Sequence, residues 1–439
     1  MTTRRSIAAM LGVLFLAAAC TSGTGEDASS VPAEHTTVSV WVSGDPDETQ
    51  AFVDVADAFE ASQDAIDVDL VVIPERDDLI ARLSTSLAGG EPPDLFLMNY
   101  RYLGQFEAKA ALAPIGPYLD ASVSLSAADF YPEAMDVFQA DGQQLCMPQN
   151  VSSLVLYYNL DLFEQAGVDP PPPNGWTWDE MVAAATELTQ DTDRDGTVDV
   201  YGLGTDVEII RMAPFIWSNG GEIVDDPVQP TTFTIGSLKA IQPIQAFLDL
   251  RGVAGVTPTD EEAESADFET RFLDGTLAMM MESRKVVPSF RTITDFEWDV
   301  APLPVHRQPA TILHSDAYCM TAASEHQDQA WTFLEFALGE DGQAIATATG
   351  RTVPSLRSVA ESDAFLDPDA PPVSSQVFLD NIPSIRAVPH VETWPEIEDV
   401  VNALLEEAYY EPSGRGEAGE LVVAILDRTK PLFERANEG

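Results

Sequence analysis

The chain is poor in several things that whole classes of function require. Basic residues are scarce: Lys+Arg number 22 against 73 Asp+Glu, a formal net charge of -51 over 439 residues. A surface this acidic repels phosphate backbones and anionic headgroups, which argues against nucleic-acid binding and electrostatic membrane attachment. Histidine is sparse and scattered, at His35, His306, His314, His326 and His390. No HExxH, HxH or Cys/His cluster is present, so no zinc pattern exists. The sequence has no GxSxG elbow, no Walker loop and no GxGxxG, and so no motif for acyl-transfer or nucleotide chemistry. Beyond the first twenty residues no run approaches the ~18 consecutive apolar residues of a membrane-spanning helix. Carboxylate pairs are inevitable among so many acids and cannot by themselves argue for a glycosidase.

What remains is an ordinary globular composition, 45% hydrophobic and 22% charged. At ~100–200 residues per domain, the length suggests two or three domains with a large core. The first residues carry Arg4 and Arg5, then thirteen uncharged residues from Ile7 to Ala19, then Cys20. A basic start, a short apolar run and small residues before a cut site describe an export signal over residues 1–19. Leu16-Ala17-Ala18-Ala19-Cys20 resembles a bacterial lipobox, although Ala17 stands where Leu is usual. Cys20 is then the lipidation site, and the expected location is the outer face of the cell membrane. Plain secretion with cleavage near Ala19 is the alternative. Residues 20–36, rich in Ser, Thr, Gly, Ala, Pro and Glu, read as a flexible tether. Cys146 and Cys319 remain, and an even pair in an exported protein suggests a disulfide. Two buried free thiols are the other possibility.

From Thr37 the texture alternates. Val38, Val40 and Val42 predict a strand, and Phe52, Val55 and Phe59 a helical face. Val68 to Ile73 predicts a strand. Leu79, Leu83 and Leu87 mark a helix closed by Gly89-Gly90, and Leu95 to Met98 is an apolar strand. This alternation predicts an α/β architecture with a largely parallel sheet, whose ligands gather beyond the strand ends. Asp45 and the Asn99-Tyr100-Arg101-Tyr102 run follow strands directly and fall at that edge. Thr177-Trp178-Asp179-Glu180 is a capping box, with Trp176 as its hydrophobic staple. Trp331, Leu334 and Leu338 share a core-facing helical face, Trp41 lies inside a strand as core, and Trp394 to Tyr410 predicts a long helix.

Several segments together resemble the extracellular solute-binding proteins of bacterial ATP-binding-cassette importers, in the sugar-binding branch related to maltose-binding protein. They are Gly89–Phe96, Tyr157–Gly167, Gly175–Glu180, Trp217–Gly221, Gly275–Met279, Trp298–Pro304 and Ala330–Leu334. In order and spacing they cover about 37–437. The resemblance implies a two-lobed periplasmic-binding-protein-like fold with a hinge and an inter-lobe cleft. Lobe one is expected at 37–148 and 306–352, lobe two at 149–305 and 353–439. It also places Cys146 and Cys319 near separate hinge crossings. The implied function is capture of a sugar or oligosaccharide in the cleft and delivery to a permease, by a monomer that performs no covalent chemistry.

Carried onto this sequence, the implied ligand-binding residues are Asp45, Asn99, Tyr100 and Arg101 from lobe one. Asp316 and Tyr318 come from the hinge-side segment, where the family often has small glycines. Glu282 and Arg284 come from lobe two, where Lys285 replaces a common Trp. Trp217 and Trp394 are the candidate stacking aromatics. Asp45 also suits a helix start and Trp217 also suits packing. Arg101, Arg211, Arg284 and Lys285 leave open an anionic ligand, a glycerophosphodiester or sugar acid. A secreted carbohydrate-active enzyme and a receptor signalling through a membrane sensor are the competing classes.

One loop stands apart. Asp191, Asp193, Asp195, Thr197 and Asp199 follow the start of a calcium-binding loop, with Gly196 at the sharp turn. The twelfth position is Gly202, so the usual bidentate Glu is missing. A structural calcium ion is expected there, with a solvated Asx-turn loop as the alternative. No other cofactor is expected.

Overall fold

The computed structural model describes residues 35–44, 46–411 and 416–438. The export signal, Cys20 and Asp45 lie outside the described residues. The chain enters on the strand Thr36–Ser43, where Val38, Val40 and Val42 are fully buried. The helix Pro46–Ser62 follows, with Pro at its first position, where a missing N–H is harmless. Its Phe52, Val55 and Phe59 turn onto the sheet, and Phe59 meets Phe333 edge-on at 5.3 Å. The strand Ile66–Ile73 and the helix Arg76–Gly89 come next. That helix stops at Gly90, whose φ of +79° is the left-handed cap that glycine adopts at least cost. The strand Leu95–Asn99 is buried throughout.

These strands pair parallel, Thr36–Ser43 lying between Ile66–Ile73 and Leu95–Asn99. Helices supply the crossovers that parallel pairing requires. The rest of the sheet departs from the parallel expectation. Asp316–Met320 runs antiparallel beside Leu95–Asn99, and Cys146–Pro148 antiparallel beside that. Both arrive from distant parts of the chain, so neither needs a helical crossover. The second sheet is antiparallel too, with Val155–Asn159 between Trp298–Ala301 and Met279–Glu282. Its core is aromatic: Phe290 stacks on Phe272 at 4.5 Å and meets Tyr157 edge-on at 5.4 Å.

A small third sheet joins Thr311–His314 to Ser152–Ser153 and to Ile385–Arg386. The segment 306–352, expected wholly in lobe one, therefore divides. Residues up to His314 pair with 152–153 and 385–386, and residues from Asp316 pair with the first sheet. Ser315 stands at the switch, fully buried, its hydroxyl donating to Asn150 O at 2.6 Å.

Cys146 and Cys319 are joined in a disulfide. They flank two separate crossings, at Asn150 and Ser315, which meet in space through the Ser315–Asn150 hydrogen bond. They face each other directly in adjacent strands of the first sheet, with Cα atoms 4.4 Å apart. That spacing belongs to an antiparallel pair without direct hydrogen bonds, where side chains lie closest.

Local signals are realised where they depend on near neighbours. The Glu180 amide donates to Thr177 Oγ1 at 3.3 Å and the Thr177 amide to Glu180 Oε2 at 2.9 Å. Trp176, expected to staple that helix, is stacked at 6.0 Å on Phe163, thirteen residues earlier. The late helix spans Trp394–Tyr409. Trp41 is only half-buried, its ring capped by the Arg82 guanidinium at 4.5 Å, because it occupies the strand face opposite Val40 and Val42.

Candidate ligand-binding site

The strand ends converge on one cavity of about 260 Å³. Asn99 ends its strand and Asp316 begins the antiparallel neighbour, so the two are registered partners at the edge of the first sheet. Glu282 ends a strand of the second sheet, and Ser283 and Lys285 follow it. Asn150, Ser152, His314, Arg351 and Thr352 enter from the segments that pass between the two sheets.

The floor is an ion pair. Arg211 is 4% exposed and Glu282 1%. Arg211 Nη1 donates to Glu282 Oε1 at 3.1 Å and Nη2 to Oε2 at 2.6 Å. Lys285 Nζ lies 3.3 Å from the same Oε2, and the Ser283 amide donates to Oε1 at 2.6 Å. Burial alone pushes the Glu282 carboxyl up. Arg211, Lys285 and the Ser283 N–H outweigh it and bring the pKa down to about 2. Glu282 is therefore a carboxylate at neutral pH. His314 beside it is held neutral: burial, then the neighbouring Arg211 charge, keep its pKa well below the usual imidazole value. The His314 Nε2 and Arg211 Nε atoms are shielded from solvent and have no hydrogen-bond partner among the described residues.

The facing wall is also charged. Arg101 Nε donates to Asn99 Oδ1 at 3.0 Å and its Nη1 to Glu398 Oε2 at 2.8 Å. Arg76 Nη2 lies 3.6 Å from Asp316 Oδ1. The Asp316 amide donates to Asn150 Oδ1 at 3.0 Å, which ties the wall to the crossing segments.

Asn99, Arg101, Glu282 and Asp316 thus come together as the sequence suggested. The remaining described candidates do not line this cavity. Tyr100 is fully buried, its hydroxyl accepting from the Val388 amide at 3.2 Å, and burial raises its pKa. Tyr318 lies inside the first sheet's core, edge-on to Phe333. It sits two residues along the strand from Asp316, too far from the sheet edge to reach the cavity. Trp217 is 1% exposed with Arg386 over its ring at 4.9 Å. Trp394 is fully buried and donates through Nε1 to Glu398 Oε1 at 2.9 Å, which helps hold the carboxylate that Arg101 grips. Arg284 is 1% exposed, donates through Nε to Gly350 O at 2.8 Å, and lies 4.3 Å from the Phe365 ring.

Several lining residues had no motif to mark them: Glu48, Arg76, Asn150, Asp206, Glu208 and Arg351. One global signal was available. Five of the 22 Lys+Arg line this cavity, against five of the 73 Asp+Glu. The scarce basic residues of so acidic a chain are concentrated at this cavity.

In the separate acidic loop, carboxylate oxygens of Asp191, Asp193 and Asp195 lie within 4.8 Å of one another. Asp199 turns back to accept from the Thr192 amide at 2.7 Å, and the Thr197 amide donates to Asp195 Oδ1 at 2.7 Å.

Comparison with known proteins agrees with this architecture. The family model for bacterial extracellular solute-binding proteins matches residues 54–372, and the chain belongs to that family. A putative binding protein of Brucella abortus is 26% identical over 375 residues, covering 83% of this chain and 85% of its own length. The maltotriose-binding protein of Pyrococcus abyssi is 21% identical over 68% of this chain and 62% of its own. Among solved structures, a Listeria monocytogenes substrate-binding protein in complex with cycloalternan superimposes with a TM-score of 0.82. It is 24% identical and covers 91% of this chain and all of the other. The fold is accordingly the two-lobed α/β fold of binding proteins. No helix among the described residues is long and apolar enough to cross a membrane.

Proposed function

We propose that the protein captures a neutral carbohydrate in the cavity between the two sheets and delivers it to an ATP-binding-cassette permease. The observation that carries this is the cavity itself, lined almost wholly by hydrogen-bonding side chains drawn from both sheets and the segments between them. A ligand touching both sides favours the closed arrangement of the lobes, which is the differential affinity that a closure mechanism needs. A relative named for maltotriose binding and a structural neighbour in complex with cycloalternan support the ligand class. Asn99, Arg101, Glu282 and Asp316 are the contacts proposed for ligand hydroxyls. The anionic alternative is weaker, because each of the cavity's five cations faces a carboxylate within 4.0 Å. No catalytic step is assigned, and the protein acts as a monomer. A lipid on Cys20 holds it at the outer face of the membrane. Membrane fractionation tests that anchor: Cys20→Ser is expected to release the protein, and retention of the variant in the membrane overturns it.

The test of function is thermal unfolding against neutral sugars, polyols, sugar acids and glycerophosphodiesters, with calcium and with chelator. A specific ligand at 100 times its dissociation constant adds about 2.7 kcal/mol. A rise with a neutral compound and no product formed is the expected result. A rise only with anionic compounds, or consumption of a glycoside, defeats the reading. The acidic loop at Asp191–Asp199 is proposed as a structural calcium site. The chelator arm is expected to lower the melting temperature, and an unchanged melt defeats it.

A further inference from the structure

We infer that the cavity is built for a single polyhydroxyl unit, one sugar ring or an acyclic polyol, and that the Arg351–Glu48 ion pair sets that length limit. The inference rests on the carbohydrate reading above and narrows it.

The lining supplies the first reason. No Phe, Tyr or Trp is among the described residues lining the cavity, His314 is its one ring, and Ile210 is its one large aliphatic. A chain of sugar rings presents repeated apolar faces, which gain most of their burial energy on flat aromatic surfaces. A single polyol is held instead by hydrogen bonds round its edge, and this lining offers only those. The volume of about 260 Å³ lies below the ~300–1,000 Å³ of sites for larger ligands.

The second reason is the wall. A larger space of about 610 Å³ adjoins the cavity and, among the described residues, shares only Lys285 and Arg351 with its lining. Arg351 Nη2 lies 3.0 Å from Glu48 Oε2, on the first helix packed against the first sheet. Its Nη1 donates to Lys285 O at 3.1 Å, in the turn that follows the second sheet's edge. One side chain therefore spans from one side of the cleft to the other, and it separates the two spaces. Both partners are mostly shielded, at 16% and 14% exposure.

Arg351 is held in place from behind. Gly350 has a φ of +79°, and a Cβ there would stand 2.9 Å from Arg291 Nη1. The Gly350 carbonyl receives the buried Arg284 Nε–H. Arg284 thus acts as a positioning residue for the wall, which accounts for its burial away from the ligand space. On the opposite side, Asp206, 3.1 Å from Arg211 Nη2, and Glu208 separate the cavity from a third space of about 370 Å³.

Isothermal titration of the exported protein, of Glu48→Gln and of Arg351→Ser, with D-glucitol, D-glucose and maltotriose, tests the inference. The unaltered protein is expected to bind one of the single-unit compounds at least 100-fold more tightly than maltotriose. Each substitution is expected to shrink that ratio at least tenfold by admitting the longer ligand. Glu48→Gln keeps the Arg351 bond to Lys285 O, so it reports on the wall even where Arg351→Ser fails to fold. A native preference for maltotriose, or a ratio unchanged in the folded variants, overturns the inference alone. Binding of none of the three neutral compounds overturns the carbohydrate reading, and this inference with it.

Discussion

Glu282→Gln is expected to destabilise the protein by about 3–5 kcal/mol and to abolish ligand binding. Removing one partner of a buried ion pair leaves the other charge without compensation, and that is the cost. Arg211 would keep one carboxylate, Asp206, whose side chain is 45% exposed and so contributes little in return. Equilibrium denaturation measures the loss, and a change below 1 kcal/mol contradicts the account. The double substitution Arg211→Met with Glu282→Leu separates stability from function. Apolar replacement of a whole buried pair is often neutral or stabilising. The double variant is therefore expected to recover most of the lost stability without recovering binding. The same pair gives a pH signature. Its ion-pair partners hold the folded Glu282 carboxyl down to about 2, below its unfolded value of ~4.3. A lowered folded pKa adds stability above the unfolded pKa, and that stability drains away as pH falls towards the folded one. The stability difference between the native protein and Glu282→Gln should hold steady above about pH 5 and narrow between about pH 4.5 and pH 2.

Replacing both cysteines, Cys146→Ala with Cys319→Ala, should cost about 2–5 kcal/mol. The bond closes a loop with a sequence separation of 173. A loop that long leaves the unfolded chain much freedom to lose, which places the expected cost at the upper end of that range. Both cysteines are fully buried in the first sheet, Cys319 on the strand that begins at Asp316 and beside the strand that ends at Asn99. Ligand affinity in the folded double variant should change little, because those strands keep their register. Thiol titration provides the companion test. Reductant should release no thiol from the folded protein and two once denaturant is added. Reduction without denaturant, or a stability loss under 1 kcal/mol, defeats the claim that this bond is a buried structural tie.

The two results depend on different kinds of information in the chain. Asn99 was legible because it ends an apolar run, and a polar residue at a strand terminus sits at a sheet edge whatever the rest of the fold does; Glu282 was legible only through the family resemblance, and the structure shows that it too ends a strand. The capping box at Thr177 and Glu180 and the glycine stop at Gly90 were legible for the same reason, since each is decided within four residues. The large side chains were not. Trp217, Trp394, Tyr318 and Arg284 have the chemistry that contacts sugars, and that chemistry suits a buried packing role equally well. The direction of Trp217 and Arg284 is set by partners far along the chain, Arg386 for Trp217 and Gly350 with Phe365 for Arg284, and that of Tyr318 by Phe333 on the helix that follows its strand.

By itself the sequence determined the alternating strands and helices, the helix ends, the family and the polar residues at strand ends. The elements, their ends and the strand-end residues follow from periodicity and caps over short distances, whereas the family follows from the resemblance of ordered segments spread over about 37–437. The tertiary structure alone decided that Cys146 faces Cys319 within one sheet, that the sheets exchange strands at Ser315, and that Arg351 reaches from Lys285 to Glu48. Each of those facts joins residues more than 60 positions apart. Such contacts carry no local signal, because they exist only once the chain has brought its distant segments together.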